Sequence, residues 1–400
     1  MASKVEGRCD PRFEAVRQAL EENLARRGEV GASVCLSVDG ETLVDIWGGM
    51  ADPETNDPWQ EDTISIVFSC SKAATALCAH ILIDRGELDP KALVADYWPE
   101  FAKNGKEKTT VQMMLNHESA LPTLRDPVKP GGFADWDYMV QRMADEEAFW
   151  EVGVRNGYHM INFGWTVGEL VRRVSGKSLG TFFREEVAEK TGARFWLGLP
   201  ETEDVHIAPI RQYVPKPDDE PTEFAIKLMT DPDSIQHKSF LNTGGWDFND
   251  RKMQAAEIGG GGGLSNARGQ VAMYTPLATD DGSLVSSDRL TNMTMVSTAT
   301  QRDATLLIPT RFASGFMKSM DNRGRGLGPG TSAIMGERAF GHVGAGGSIG
   351  FADPECGMAF SYTMNQMGNG ILLNDRGQSL IDAAYRSLGY RTNAPGAWVR

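Results

Sequence analysis

The sequence predicts an α/β plus all-α fold: an antiparallel sheet flanked by helices, with a helical domain inserted. Three observations lead there. Strand-like alternation with tight turns occupies both ends of the chain, helical spacing fills the middle, and 400 residues suffice for two lobes around a substantial core.

The elements follow in order. Asp10 before Pro11 predicts an N-cap and a first helical residue, and Phe13, Val16, Leu20 and Leu24 form one apolar stripe that stops at Gly28. From Gly31 the period changes to that of strands: residues 34–38, a turn at Asp39-Gly40, and an apolar run over 42–47 predict a hairpin. Residues 63–68 read as extended, and 73–85 as a helix ending at Gly86. Helical spacing recurs over 110–115, 133–143, 163–174 and 179–190. Residues 214–250, rich in Pro, Asp and Asn with weak periodicity, predict surface loops of the kind that rim a site. The glycine run 259–263 predicts a tight passage, with Ser265 capping the helix after it. Near the end, 341–352 and 358–364 flank the turn residues 353–357 as a second hairpin, and 380–388 predicts a closing helix. The division expected is 1–68 with 250–400 as the α/β part, and 69–249 as a mostly helical part with long loops.

Composition narrows the function. A formal charge of −14 repels a phosphate backbone and the basic residues form no stripe, which argues against nucleic acid as a partner. No run approaches the roughly 18 apolar residues of a membrane span. Residues 1–10 place no apolar stretch behind their positive charges, so no secretory signal is expected and the predicted location is cytoplasmic. The five cysteines, Cys9, Cys35, Cys70, Cys78 and Cys356, are odd in number and lack paired ligand spacing, as free thiols in a reducing compartment would.

Ser69-Cys70-Ser71-Lys72 opens the helix that follows the extended segment 63–68. Residues three apart share a helix face, so the Lys72 amine reaches the Ser69 hydroxyl, and the N–H groups of the first turn point at an anion forming there. A serine is a poor nucleophile until a base takes its proton, and a lysine serves only if burial or a second cation lowers its pKa. The apolar surroundings of Lys72 favour burial. An S-x-x-K match alone also describes a capping serine beside a surface lysine; position at the start of an apolar helix sets this one apart. Cys70, beside the nucleophile, reads as a buried bystander.

Three further segments extend the pattern. Met114-Leu115-Asn116-His117-Glu118-Ser119-Ala120-Leu121-Pro122 follows the nucleophile helix, Gly157-Tyr158-His159-Met160 leads into Asn162-Phe163-Gly164-Trp165, and Gly341-His342-Val343-Gly344-Ala345-Gly346-Gly347 comes last. With Phe68 to Lys72, these make the chain resemble the serine β-lactamase and penicillin-binding-protein superfamily over most of its length. The likeness is greatest to class C β-lactamases and family VIII carboxylesterases. It implies a β-lactamase/transpeptidase-like fold with the active site between the two parts. It also implies Ser69 as the acylated nucleophile, Lys72 as base or proton relay, and Tyr158 as the phenolic partner beside the leaving group. The N–H groups of Ser69 and Ala345 would form the oxyanion hole, with His342, Gly344 and Gly346 on the strand against substrate. A phenol beside a cationic lysine should ionise more readily, letting Tyr158 shuttle protons. Two departures bear on substrate. Tyr158-His159-Met160 stands for the lactamase Tyr-x-Asn element, and His342-Val343-Gly344 for its Lys-Thr-Gly strand. Both resemble the esterase branch, and a histidine near neutrality holds a β-lactam carboxylate less well than lysine does.

A rival motif is Gly346-Gly347-Ser348-Ile349-Gly350, which satisfies the G-x-S-x-G nucleophile elbow. That elbow needs a helix after the serine and a histidine downstream, whereas the sequence after Ser348 predicts a hairpin and His342 is the last histidine. His80, His117, His206 and His237 share no metal-ligand spacing, and the glycine run lacks the ending of a phosphate loop, so neither metal nor cofactor is expected. Trp136, Trp150 and Trp246 read as core before pocket wall. The expected activity is a carboxylesterase acting on short-chain, small-molecule esters through an acyl-serine. A β-lactamase, D-amino-acid peptidase or acyltransferase of the same fold, and a binding protein that has lost its chemistry, are the alternatives.

Overall fold

The computed structural model describes residues 4–400; Met1 to Ser3, part of the N-terminal stretch considered above, lie outside the described residues. The strands are β1 (Val5–Cys9), β2 (Gly31–Val38), β3 (Glu41–Asp52), β4 (Asp57–Pro58), β5 (Ser65–Phe68), β6 (Phe195–Trp196) and β7 (Gly263–Ser265). They continue with β8 (Thr298–Thr300), β9 (Thr310–Ala313), β10 (Phe316–Met317), β11 (Phe340–Val343), β12 (Ile349–Asp353) and β13 (Met358–Met364). One antiparallel sheet runs β1-β3-β2-β13-β12-β11-β10-β9-β8, with β4 on β3, and a second, of three strands, runs β5-β7-β6.

Strand β2 shows why the sheet is central. Its residues from Gly31 to Ser37 are all buried, so the sequence reads as a nearly continuous apolar run rather than an alternation. Val34 and Leu36 face one core with α1 (Glu14–Arg26) and the C-terminal helix, while Cys35 faces the core on the other side. Helix α1 docks through Val16 and Leu20, and its buried Asn23 donates to the Arg376 carbonyl at 3.1 Å. Helix α2 (Ser71–Asp84) is buried on every side from Ser71 to Leu82, which explains its lack of a polar face.

The helical middle comprises α3 (Val111–Leu115), α4 (Trp136–Asp145), α5 (Phe163–Ser175), α6 (Leu179–Phe183) and α7 (Glu189–Thr191). Helix α4 starts later than expected because Asp135 caps it, accepting from Tyr138 N. The 214–250 segment departs from the loops predicted. It carries α8 (Glu223–Thr230) and α9 (Ile235–Leu241), capped by Thr222 and Ser234, each too short for its period to stand out. A short α10 (Arg251–Gln254) follows, then the glycine run, where a Cβ on Gly260 would lie 2.0 Å from the Ile161 carbonyl oxygen. The run ends in β7, which contains Ser265; the cap of α11 (Ala267–Thr279) is Asn266 instead, accepting from Gly269 N at 2.9 Å.

After α12 (Ser287–Thr294) come the short strands β8 to β10, which, like β1, carry too little pattern to be read from sequence. The stretch 341–352, expected as one arm of a hairpin, is two paired strands, β11 and β12, turned around Ala345–Gly347. Gly346 and Gly347 make that turn at φ 84° and 122°, closed to a side chain. The closing helix α13 (Asp375–Ser387) starts five residues early because Asn374 caps it, accepting from Arg376 N and Gly377 N.

Candidate active site

Strand β5 delivers the chain to Ser69 through a strained residue. Phe68 sits at φ 45°, a left-handed conformation that costs a non-glycine residue about 1 kcal/mol or more. Ser71 pins it, donating to the Phe68 carbonyl at 2.5 Å and accepting from Gly263 N at 2.8 Å. The Ser69 carbonyl then accepts from Lys72 N at 3.0 Å, so Lys72 lies one turn on and its amine returns to the Ser69 hydroxyl.

Lys72 is wholly buried, with Nζ 2.9 Å from Ser69 Oγ and 2.6 Å from the carbonyl oxygens of both Met160 and Gly260. Loss of water pushes its pKa well below that of an ordinary lysine. The carbonyls also suit an ammonium, but burial is the larger effect. A neutral amine has two N–H bonds and one lone pair. With the N–H bonds donated to Met160 and Gly260, the lone pair faces Ser69 Oγ and can accept its proton.

Tyr158 approaches from the other side. Its hydroxyl lies beside Ser69 in the cavity wall, and its ring centroid is 4.8 Å from Lys72 Nζ. Burial raises the pKa of the phenol, which corrects the expectation that a neighbouring cation would make it ionise readily. A neutral lysine supplies no such charge, so the phenol stays protonated and can pass a proton without holding the anion. Two backbone donors complete the set. The N–H groups of Ser69 and Ala345 have no acceptor among the described residues, and both residues line the cavity into which Ser69 opens. Such a pair suits a developing oxyanion.

Comparison with known proteins bears on this constellation. A model of the family described as Beta-lactamase matches residues 16–383. The chain belongs to this family. It is similar to Esterase/beta-lactamase LipL of Mycobacterium tuberculosis strain H37Rv, 31% identical over 397 residues that cover 93% of this chain and 85% of the relative. Among solved structures it resembles a family VIII carboxylesterase, at 36% identity and TM-score 0.81, covering 96% of this chain and all of the other. It also resembles a penicillin-binding protein homologue from Caulobacter crescentus, at 32% identity and TM-score 0.83 with the same coverage. The chain is therefore a hydrolase of the β-lactamase fold with esterase relatives.

Within this β-lactamase fold the three strand residues expected against substrate divide. Gly346 lines the cavity, whereas His342 and Gly344 do not. Side chains alternate along a strand, and Val343 and Ala345 take the cavity side. Gly344 instead abuts β5, where a Cβ would lie 2.3 Å from the Val67 carbonyl oxygen. His342 is buried behind Tyr158 at 6.0 Å between rings, its Nδ1 2.8 Å from the Val343 carbonyl oxygen. Burial lowers its pKa to about 3, so it brings no charge to the site.

The sequence reading missed what holds Tyr158. The wholly buried Asp303 carboxylate accepts from Tyr158 N at 3.0 and 3.1 Å, and from Thr305 N and Leu306 N, each at 2.8 Å. An aspartate accepting from the next residues' amides is a legible turn signal; its bond to Tyr158, 145 residues away in sequence, is not. The phenol ring stacks on Phe312 and meets His117 at 4.9 Å. Burial keeps His117 neutral as well, and lowers His159, which hydrogen-bonds Ser119 Oγ at 2.7 Å, to about 4.

The remaining candidates fall away. Ser348 is fully buried in the β11–β12 turn and is followed by a strand, not a helix. Cys70 is buried, its Sγ 3.3 Å from the His342 carbonyl oxygen, and burial raises its pKa to about 12, the reverse of a reactive thiol. No group of three or more His, Cys, Asp or Glu among the described residues is placed to hold a metal, and no described helix is long and apolar enough to cross a membrane. Trp136, Trp150 and Trp246 do not line the cavity. Its volume is about 280 Å³, and its walls include Met160, Phe224, Leu228, Leu306 and Met317 but no charged side chain.

Proposed function

We propose that this protein is a serine carboxylesterase that hydrolyses short-chain esters through an acyl-Ser69 intermediate. The observation that carries the reading is the buried Lys72 amine, 2.9 Å from Ser69 Oγ and held by the Met160 and Gly260 carbonyls, which as a neutral base can take the Ser69 proton. In acylation the Ser69 Oγ–carbonyl carbon bond forms as the hydroxyl proton passes to Lys72 Nζ. The Ser69 and Ala345 N–H groups stabilise the oxyanion, and its collapse expels the alkoxide, which takes its proton by way of Tyr158. Water then attacks the acyl-serine along the same route in reverse.

The esterase names of LipL and of the family VIII structure support an ester as substrate. So does the uncharged cavity wall, which offers no cation to a β-lactam carboxylate. The test is intact mass spectrometry of wild type and Ser69→Ala after brief exposure to p-nitrophenyl butyrate, with p-nitrophenol release followed in parallel. A butyryl adduct and turnover in wild type alone are expected; equal turnover in both proteins would move the nucleophile elsewhere. Nitrocefin turnover comparable to that of the ester would return the β-lactamase reading.

A further inference from the structure

One aromatic ring stands in the wall of the cavity that Ser69 opens into and also meets solvent. Phe240 lines that cavity and is also 41% exposed, so its ring forms part of the boundary between the chamber and solvent. It leans edge-on against Phe224, at 6.4 Å between ring centroids. Four residues earlier in the helix, Gln236 Nε2 donates to the Ala304 and Thr305 carbonyls at 2.9 and 2.8 Å, which turns this face of α9 inward. Phe240 is thus held from the loop that begins at Asp303, the residue that fixes Tyr158.

A second cavity, of about 910 Å³, adjoins the first. The two share Tyr213, Met367, Gly368 and Asn369 as a common wall, and the larger one is polar, its lining including both cations such as Arg27 and Lys216 and carboxylates such as Asp52 and Asp219. The two arms of an ester have opposite needs. The acyl arm must stay in register until water attacks, whereas the alcohol arm must leave after the first step. The smaller chamber, with no charged side chain in its wall, suits the arm that stays, and the larger polar cleft suits the arm that leaves.

We propose that the chamber holds the acyl chain and that Phe240 is the stopper that sets its maximum length, while the alcohol leaves over the Met367–Asn369 wall toward the polar cleft. This rests on the esterase reading above. Removing the ring takes a phenyl out of the wall between the chamber and solvent and gives a longer chain room to extend. Each further methylene buried there raises kcat/KM about fourfold.

The test compares p-nitrophenyl butyrate with p-nitrophenyl dodecanoate in wild type, Phe240→Ala and Phe240→Trp, with thermal unfolding of each variant and Ser69→Ala as the control. The dodecanoate-to-butyrate ratio of kcat/KM should rise at least tenfold in Phe240→Ala and fall in Phe240→Trp. Ratios unchanged within threefold in both folded variants would overturn the stopper while leaving the esterase reading intact. A shift confined to an alkyl acetate series, where only the alcohol arm varies, would overturn the assignment of the chamber to the acyl chain. Equal turnover by wild type and Ser69→Ala would instead sink the esterase reading itself.

Discussion

Replacing Lys72 by arginine isolates the base from the rest of the site. Arginine cannot give up its proton, so it still offers donors to the Met160 and Gly260 carbonyls but no lone pair to Ser69 Oγ. A positioned base contributes about 10²–10⁴-fold to such a step, or about 3–5 kcal/mol of barrier. The Ser69 and Ala345 N–H groups remain, so kcat/KM for p-nitrophenyl butyrate should fall by about 10³ without reaching the background rate. The pH profile carries a second signature. Wild-type kcat/KM should rise as the amine loses its proton, with burial placing that limb well below the ordinary lysine value of 10.5. In Lys72→Arg the limb should vanish. Turnover within tenfold of wild type in a folded Lys72→Arg protein, or an unchanged rising limb, would refute the neutral-amine reasoning.

Four shorter predictions follow from the same geometry. Tyr158→Phe keeps the ring on Phe312 but loses the hydroxyl that meets Ser69, so kcat should drop by about 10²-fold or more with the melting temperature nearly unchanged. Asp303 has its pKa raised from 3.8 to about 6, so its stabilising contribution is present below about pH 4 and is lost as pH rises through about 6, a difference of about 3 kcal/mol. Urea unfolding should therefore show the stability of wild type relative to Asp303→Asn declining between those pH values, and a pH-independent difference would contradict the raised pKa. Gly344→Ala forces a Cβ against the Val67 carbonyl, and the resulting shift of β5 should cost at least about tenfold in kcat/KM; wild-type kinetics would show that the strands can part freely. Ser348→Ala should retain turnover within about threefold of wild type, because the buried hydroxyl only accepts a long bond from Met364 N at 3.4 Å.

Much of the fold was legible because its patterns are local. The capping Asp10 with Pro11, the Asp39-Gly40 turn between β2 and β3, and the apolar run of α2 each carry their signal within a few residues. The errors have equally local causes. Helices α8 and α9 span eight and seven residues, so the Pro- and Asp-rich composition around them outweighed their capping residues Thr222 and Ser234. The glycines around Ser348 hid a strand–turn–strand inside what read as one extended arm, since positive φ at Gly346 and Gly347 leaves no trace in hydrophobic periodicity.

The sequence by itself determined that Ser69 and Lys72 meet, because three residues at a helix start are neighbours whatever surrounds them. It also determined that the lysine would lie among apolar side chains. Only the tertiary structure decided what the amine does there. Its two carbonyl partners come from 88 and 188 residues away. The same holds for the Asp303 carboxylate under Tyr158, for the side of β11 on which His342 faces away from the cavity, and for the α9 ring in the cavity wall. A helical turn is set by backbone geometry at short range, whereas burial, protonation and cavity shape arise only when distant segments exclude water together.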